Sequence, residues 1–312
     1  MTTTVNQANS ESSAKIVVGA MLGCRLLRTN MKRAILSGGI VATILSLVSP
    51  VQALQVKVMP ANPELGDTLS VVIQVDGSGE TPTVSVQQKN YPAFPMGNNR
   101  FRALLPTTPL EKAGARQIQV KGDGKVQDLS VQVRSRNFPT QSITLPPGKD
   151  SEGTDAEFDR VDAFKALVTP QKFWNGPLLR PNSGEITTIY GVRRYYNGVF
   201  ANDYYHRGID YAGDYGSPVV APAAGRVSLV GRESQGFTIH GNVVGIDHGQ
   251  GVASILMHLS RIDVKEGDFV TAGQVIGTLG STGASTGPHL HWGLYVHGQA
   301  IDPVPWRLQG IE

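Results

Sequence analysis

Cysteine is almost absent. Cys24 is the only one in 312 residues, so the chain cannot close a disulfide on itself, and a disulfide framework or a cysteine-rich metal site is excluded. Long apolar runs are missing as well: the best candidate, Ala34 to Val48, contains Gly38-Gly39 and falls short of the roughly 20 residues a spanning helix needs. Charged residues make up 17% of the chain, against about 25% in an average domain. The formal net charge of +3 is local, because Lys15, Arg25, Arg28, Lys32 and Arg33 face a single acid, Glu11, in residues 1–53. Beyond Ala53 there are 23 basic and 24 acidic residues, which leaves no electrostatic footprint for nucleic acid. Histidine is missing from everything before His206, and all seven lie between His206 and His297. Metal or proton-transfer chemistry is therefore expected in one C-terminal domain.

Residues 1–53 read as an N-terminal extension and signal peptide. Lys32-Arg33 precede the apolar stretch and Val51-Gln-Ala53 supplies small residues at the cleavage positions, so the mature chain is expected to begin at Leu54. An uncleaved membrane anchor is the second reading, and Met31 is a second candidate start. Cys24 follows Met21-Leu-Gly23 in a faint lipoprotein-like pattern, but Arg25 comes directly after it and a better signal lies downstream. The expectation is an exported protein, periplasmic or in the cell wall, with no stable membrane span after processing and no cysteine nucleophile.

The length suggests two domains. Residues 54–136 carry short alternating runs, Gln55-Val-Lys-Val58, Leu69 to Val75, Thr83-Val-Ser-Val86, Gln117-Ile-Gln-Val120 and Leu129 to Val133, separated by turns such as Gly122-Asp-Gly124. This pattern predicts an immunoglobulin-like β-sandwich that positions rather than catalyses. Residues 137–172 read as a linker containing Pro146-Pro-Gly148 and one short helix. Thr154-x-x-Glu157 forms a capping box there, ahead of Phe158, Val161, Phe164 and Val168. Residues 173–312 show strand runs without a credible helix, which predicts an open antiparallel β-sheet with its site in a groove. Val264 to Gly277 has the strand, turn, strand rhythm of biotinyl or lipoyl folds but no lysine at the turn, so it reads as scaffold.

A catalytic zinc site needs three protein ligands and an open fourth position. His206, Asp210 and His291 would supply them. In His206-Arg-Gly-Ile-Asp210, Gly208 and the turn-rich surroundings favour an extended backbone over a helical turn. In His289-Leu-His291, residues two apart on a strand share a face. Leu290, Trp292, Leu294 and Val296 then form the core side, while His289, His291, Gly293 and Tyr295 form the site side, with Gly293 leaving room above it. His258 alone could be a satisfied core histidine. His240, His248 and His297 sit beside glycines and read as structural or solvated turn residues.

The stretch from about Arg180 to Trp306 resembles the LytM/lysostaphin-type zinc metallopeptidases, which cut peptide cross-links in bacterial cell walls. The resemblance rests on Ile186-Thr-Thr-Ile-Tyr-Gly-Val-Arg193, His206-Arg-Gly-Ile-Asp210, Gly216 to Pro222, Gly241 to Gly249, Met257-His-Leu-Ser260 and Gly280-Ser-Thr-Gly-Ala-Ser-Thr-Gly-Pro-His-Leu-His291. It implies one zinc ion held by His206, Asp210 and His291, with His258 and His289 flanking the position of the attacking water. Two places depart from the family's pattern. Leu256-Met257 stands where a tyrosine is common, and Thr188-Ile-Tyr-Gly191 replaces Ser-x-Phe-Gly. Neither change replaces a ligand residue, and both bear on the walls of the groove.

The implied activity is hydrolysis of peptide bonds in peptidoglycan, with stem peptides and cross-bridges as partners; no motif identifies a regulatory partner in the envelope. A non-hydrolytic wall-binding or hydrolase-activating protein is the alternative, and the intact five-residue set counts against it. A histidine phosphocarrier is opposed by the export signal and by Asp210. All five site residues lie beyond Phe173, so a fragment from there to Glu312 is expected to fold and act alone.

Overall fold

The computed structural model describes residues 54–77, 79–144 and 153–311. The signal-peptide, start-site and Cys24 readings, and Pro146-Pro-Gly148, lie outside the described residues. Those that are described fall within one compact unit, Pro50–Glu312.

Eight strands come first: β1 (Gln55–Met59), β2 (Thr68–Gln74), β3 (Thr83–Val86), β4 (Lys89–Pro92), β5 (Phe94–Gly97), β6 (Arg100–Pro106), β7 (Gly114–Gly122) and β8 (Lys125–Val133). They form two antiparallel sheets, ordered β1-β2-β6-β5 and β4-β3-β7-β8. Alternation puts Leu69, Val71 and Ile73 of β2, Val84 of β3, and Ile118 and Val120 of β7 into one shared core. The sequence runs located β1, β2, β3, β7 and β8 but not β4, β5 or β6. Prolines at 92, 95 and 106 obscure these strands. In β6 there is also no alternation to read, because Ala103 and Leu105 enter this core while Leu104 enters the C-terminal one.

Next come β9 (Thr140–Ile143) and α1 (Asp155–Lys165). Thr154 Oγ1 accepts the Glu157 N–H at 3.1 Å, as the helix cap requires. The expected capping box is only half formed, however, since the Glu157 carboxylate turns away toward Thr238–His240. Val161 and Phe164 are buried, whereas Phe158 and Val168 stay exposed.

The C-terminal part contains β10 (Glu185–Thr188), β11 (Arg193–Tyr196), β12 (Val199–Phe200), β13 (Ile209–Ala212), β14 (Pro218–Val220), β15 (Gly225–Gly231) and β16 (Val243–Gly249). It continues with β17 (Val252–Met257), β18 (Leu259–Ile262), β19 (Phe269–Val270), β20 (Val275–Leu279), β21 (His289–Val296), β22 (Gln299–Ile301) and α2 (Pro303–Leu308). The main sheet runs β10-β13-β21-β17-β16-β15-β19, with β22 added to β21. It is open, with β10 and β19 at its edges. A smaller sheet, β14-β20-β18, shares a core with one face of the main sheet; Val219, Ile276 and Leu279 meet Val244, Leu256 and Trp292 there. On the other face, Val161 and Phe164 of α1 pack with Leu229, Ile255 and Tyr295. The stretch read as linker is thus tied to the C-terminal part at two places, because β9 also pairs in parallel with β11. The expectation of no helix there is corrected by α2, whose Asp302-Pro303 start carries both the cap and the favoured first residue.

Arg102 joins the first sheet to the C-terminal part. Only 2% exposed, it donates to Gln250 Oε1 at 3.0 Å and Ile311 O at 3.2 Å, and its guanidinium lies 5.1 Å from the Trp174 ring centroid. Trp306 Nε1 adds a bond to Thr68 Oγ1 at 3.2 Å.

Candidate metal centre

Three strands deliver the site. Asp210 of β13 and His291 of β21 are direct cross-strand partners, and Met257 of β17 faces His291 from the other side. Register therefore brings together two residues 81 positions apart. His206 lies just before β13, held by backbone bonds from its N–H to Val192 O and from Gly191 N–H to its own carbonyl. Gly208 is needed between them: a Cβ there would stand 2.3 Å from Trp292 O and 2.8 Å from His291 Nε2. The backbone of His206–Asp210 is extended rather than helical, as Gly208 suggested.

Three side-chain atoms converge. His206 Nε2 lies 3.0 Å from Asp210 Oδ1 and 3.0 Å from His291 Nδ1, and His291 Nδ1 lies 2.9 Å from Asp210 Oδ1. His206 Nδ1 faces the Ile189 carbonyl at 2.8 Å, so the ring's proton belongs on Nδ1 and Nε2 presents a lone pair. That lone pair then meets a carboxylate oxygen, two acceptors in contact. A cation between them removes the repulsion, and a backbone carbonyl on the far nitrogen is the usual support of a metal-bound histidine. Metal–ligand bonds of about 2.0–2.1 Å in a tetrahedron place the ligand atoms about 3.3–3.4 Å apart, so the three atoms need to spread by only a few tenths of an ångström to take an ion between them. The donor set therefore fits zinc: the three residues form the His/Asp metal-ligand cluster found among the described residues.

Electrostatics agrees with this donor set. Burial pulls the Asp210 carboxyl upward, but the His206 and His291 imidazoles outweigh it and hold the group well below the ordinary carboxylate range. Burial drives His291 down to about 4.

The other two histidines stand alongside. The His289 ring is 4.7 Å from that of His258, and His289 Nε2 is 3.9 Å from Asp210 Oδ1. His258 Nδ1 faces Thr282 O at 2.8 Å and His289 Nδ1 faces Gly287 O at 2.9 Å, which leaves Nε2 of each neutral ring as the acceptor. Burial, then the neighbouring His289 and His291, push His258 down to about 3. The loop from Gly280 to Gly287 thus supplies carbonyls to both rings.

Two readings change. Beyond His291 the strand face closes, because a Cβ on Gly293 would meet the Tyr295 ring at 2.9 Å and Ile255 at 3.0 Å; no room opens there. His248 is not a turn residue but a fully buried member of β16, with Nδ1 on Ala224 O at 2.9 Å and Nε2 on Ser254 Oγ at 2.9 Å. His240 is held by Glu157, and His297 turns the hairpin between β21 and β22 with its ring against Tyr91. The sequence reading missed the carbonyls of Ile189, Thr282 and Gly287. Backbone partners leave no residue-type signal, although the Gly/Ser/Thr-rich composition marked the segment that provides two of them.

Residues 204–303 match the model of peptidase family M23. DD-carboxypeptidase/endopeptidase Mpg of Neisseria meningitidis serogroup B is 46% identical over 107 residues, 34% of this chain and 24% of that protein. Peptidoglycan DD-endopeptidase ShyA of Vibrio cholerae is 40% identical over 97 residues, 31% of this chain and 22% of that protein. The chain thus spans less than a quarter of the length of these relatives. A crystal structure described as a peptidase M23 from Pseudomonas aeruginosa aligns over 80% of this chain and 96% of its own, with a TM-score of 0.59 and 28% identity. Family model, relatives and structure together support peptidase family M23 for the C-terminal part.

Proposed function

We propose that this protein is an exported zinc endopeptidase that hydrolyses peptide cross-links of bacterial peptidoglycan. The observation that carries the reading is the convergence of His206 Nε2, Asp210 Oδ1 and His291 Nδ1 within 3.0 Å of one another, with His258 and His289 against them. A zinc ion held by these three would lower the pKa of a coordinated water to about 7 and polarise the scissile carbonyl. His258, kept neutral by burial, presents Nε2 as a proton acceptor. His289, fixed by Gly287 O, presents a second acceptor Nε2 on the same side, and the proton taken from the water is held on this pair until it passes to the leaving amine. Thr282 O and Gly287 O hold both tautomers through the cycle.

The N-terminal sheets support the immunoglobulin-like reading. Taken as A, B, E, D and C′, C, F, G, the orders β1-β2-β6-β5 and β4-β3-β7-β8 have that fold's connectivity. Export rests on Lys32-Arg33, the apolar stretch and Val51-Gln-Ala53. N-terminal sequencing of the exported product should begin at Leu54; Met1 or Met31 would favour an anchor.

The decisive assay incubates purified peptidoglycan with the zinc-loaded protein and identifies new peptide ends by mass spectrometry. New amino and carboxyl ends at cross-links support the reading. Tight binding without new ends, from protein with full zinc content, would replace it with the wall-binding alternative.

A further inference from the structure

Glu157 belongs to α1, outside the five residues above, yet it is only 1% exposed. A carboxylate buried so deeply needs partners, and all of these lie on one segment. It accepts the backbone N–H groups of Thr238 at 2.9 Å, Ile239 at 3.2 Å and His240 at 2.7 Å, and lies 2.6 Å from His240 Nδ1. Three successive amides turned toward one anion form a nest whose partial charges match a carboxylate and no neutral group as well.

That segment bears on the site. His240 O accepts the His258 N–H at 3.1 Å, and Ile239 O accepts the Ala284 N–H at 3.0 Å. Asn242, two residues on, donates its N–H to Thr282 Oγ1 and its side-chain amide to Leu259 O, each at 2.9 Å. Thr282 O in turn sets the tautomer of His258. His258 has a φ of 64°, a left-handed conformation that costs a non-glycine residue free energy and persists only where neighbours hold it. We infer that Glu157 is a positioning residue for His258: its carboxylate fixes Thr238–His240, and that segment fixes both the backbone of His258 and the loop that orients its ring. This deepens the proposed function and rests on its assignment of His258 to proton transfer.

Glu157→Gln keeps the shape of the side chain but places an amide N–H among N–H donors. Residues 54–312 are compared as wild type, Glu157→Gln and Val161→Ala, the last of which loosens α1 in the core without touching the carboxylate. Amide hydrogen exchange, zinc content and steady-state kinetics on cross-linked stem-peptide dimers are measured for each. In Glu157→Gln, protection should fall at residues 238–240 and 258 but persist along β21, with zinc retained. The kcat should drop on the order of 10–10²-fold, as misplacement of a catalytic group by about 1 Å does, with KM nearly unchanged. Val161→Ala should lower stability and leave that protection and kcat at wild-type levels. Unchanged protection at His258 in Glu157→Gln, or the same pattern in Val161→Ala, overturns the inference. If Glu157→Gln does not fold, Glu157→Asp, which keeps the charge but is one methylene shorter, is read by the same criteria. Should the wild type cut no cross-link, the proposed function falls, while hydrogen exchange still decides whether Glu157 holds His258.

Discussion

Deleting α1 from a C-terminal fragment should cost much of its stability, although no site residue lies on that helix. Val161 and Phe164 are 1% and 3% exposed and pack with Leu229, Val243 and Ile255 on the back of the main sheet. Burying a side chain of this kind contributes about 1.5–3 kcal/mol, so the pair contributes about 3–6 kcal/mol. Whole domains are stable by only about 5–15 kcal/mol. The comparison is between fragments 153–312 and 173–312, both without the N-terminal sheets and both missing Arg102, so their difference is α1 together with the tail to Lys172, whose Thr169 bonds Asp247 and Gln250, and the burial figure is its lower bound. Urea denaturation at fixed zinc should show the shorter fragment destabilised by at least about 3–6 kcal/mol, or without a cooperative transition. This departs from the expectation that a fragment from Phe173 suffices. Equal midpoints and equal m-values would refute the reasoning, because the apolar face of α1 would then contribute nothing to the C-terminal fold.

Other consequences can be checked separately. His291→Ala should lose zinc on dialysis while His289→Ala keeps it and loses turnover on the order of 10²–10⁴-fold; full zinc in His291→Ala, or near-normal turnover in His289→Ala, would reverse the assignment. Ser254→Ala removes a hydroxyl that accepts from Trp292 Nε1 at 3.1 Å and serves His248 Nε2 at 2.9 Å, so two buried groups are left unpaired. A loss of about 2–4 kcal/mol is expected, and calorimetry showing less than about 1 kcal/mol would mean that water replaces the hydroxyl. Burial lowers His248 to about 4, with Asp247 opposing, so the unfolded chain takes up this proton first as pH falls. Its stabilisation is complete above an unfolded pKa of about 6.5 and declines toward pH 4 by about 3 kcal/mol. His248→Gln should make stability less steep between pH 6.5 and 4, and an unchanged slope would show that His248 is not held neutral.

Much of the candidate site was legible because its geometry is local. On a strand, residues two apart share a face, so the pattern from His289 to Val296 separated Leu290, Trp292, Leu294 and Val296, all in the core, from the histidines. The same period located five of the eight N-terminal strands. It failed on β6, where both faces are buried, and on His248, whose neighbouring glycines suggested a turn although the residue lies within β16.

The sequence alone determined which residue types could hold a metal, that they gather in one part of the chain, and which side of β21 faces the core, since composition and side-chain alternation are properties of short segments. Only the tertiary structure decided the pairing of Asp210 with His291 and the nitrogen each histidine presents. It also sent Glu157 to Thr238–His240 rather than back to its own cap, and Arg102 into the seam beside Trp174. These outcomes depend on backbone carbonyls and amides brought close by folding. Every residue carries such groups, and only the packing of distant segments selects the ones that a buried imidazole, carboxylate or guanidinium will meet.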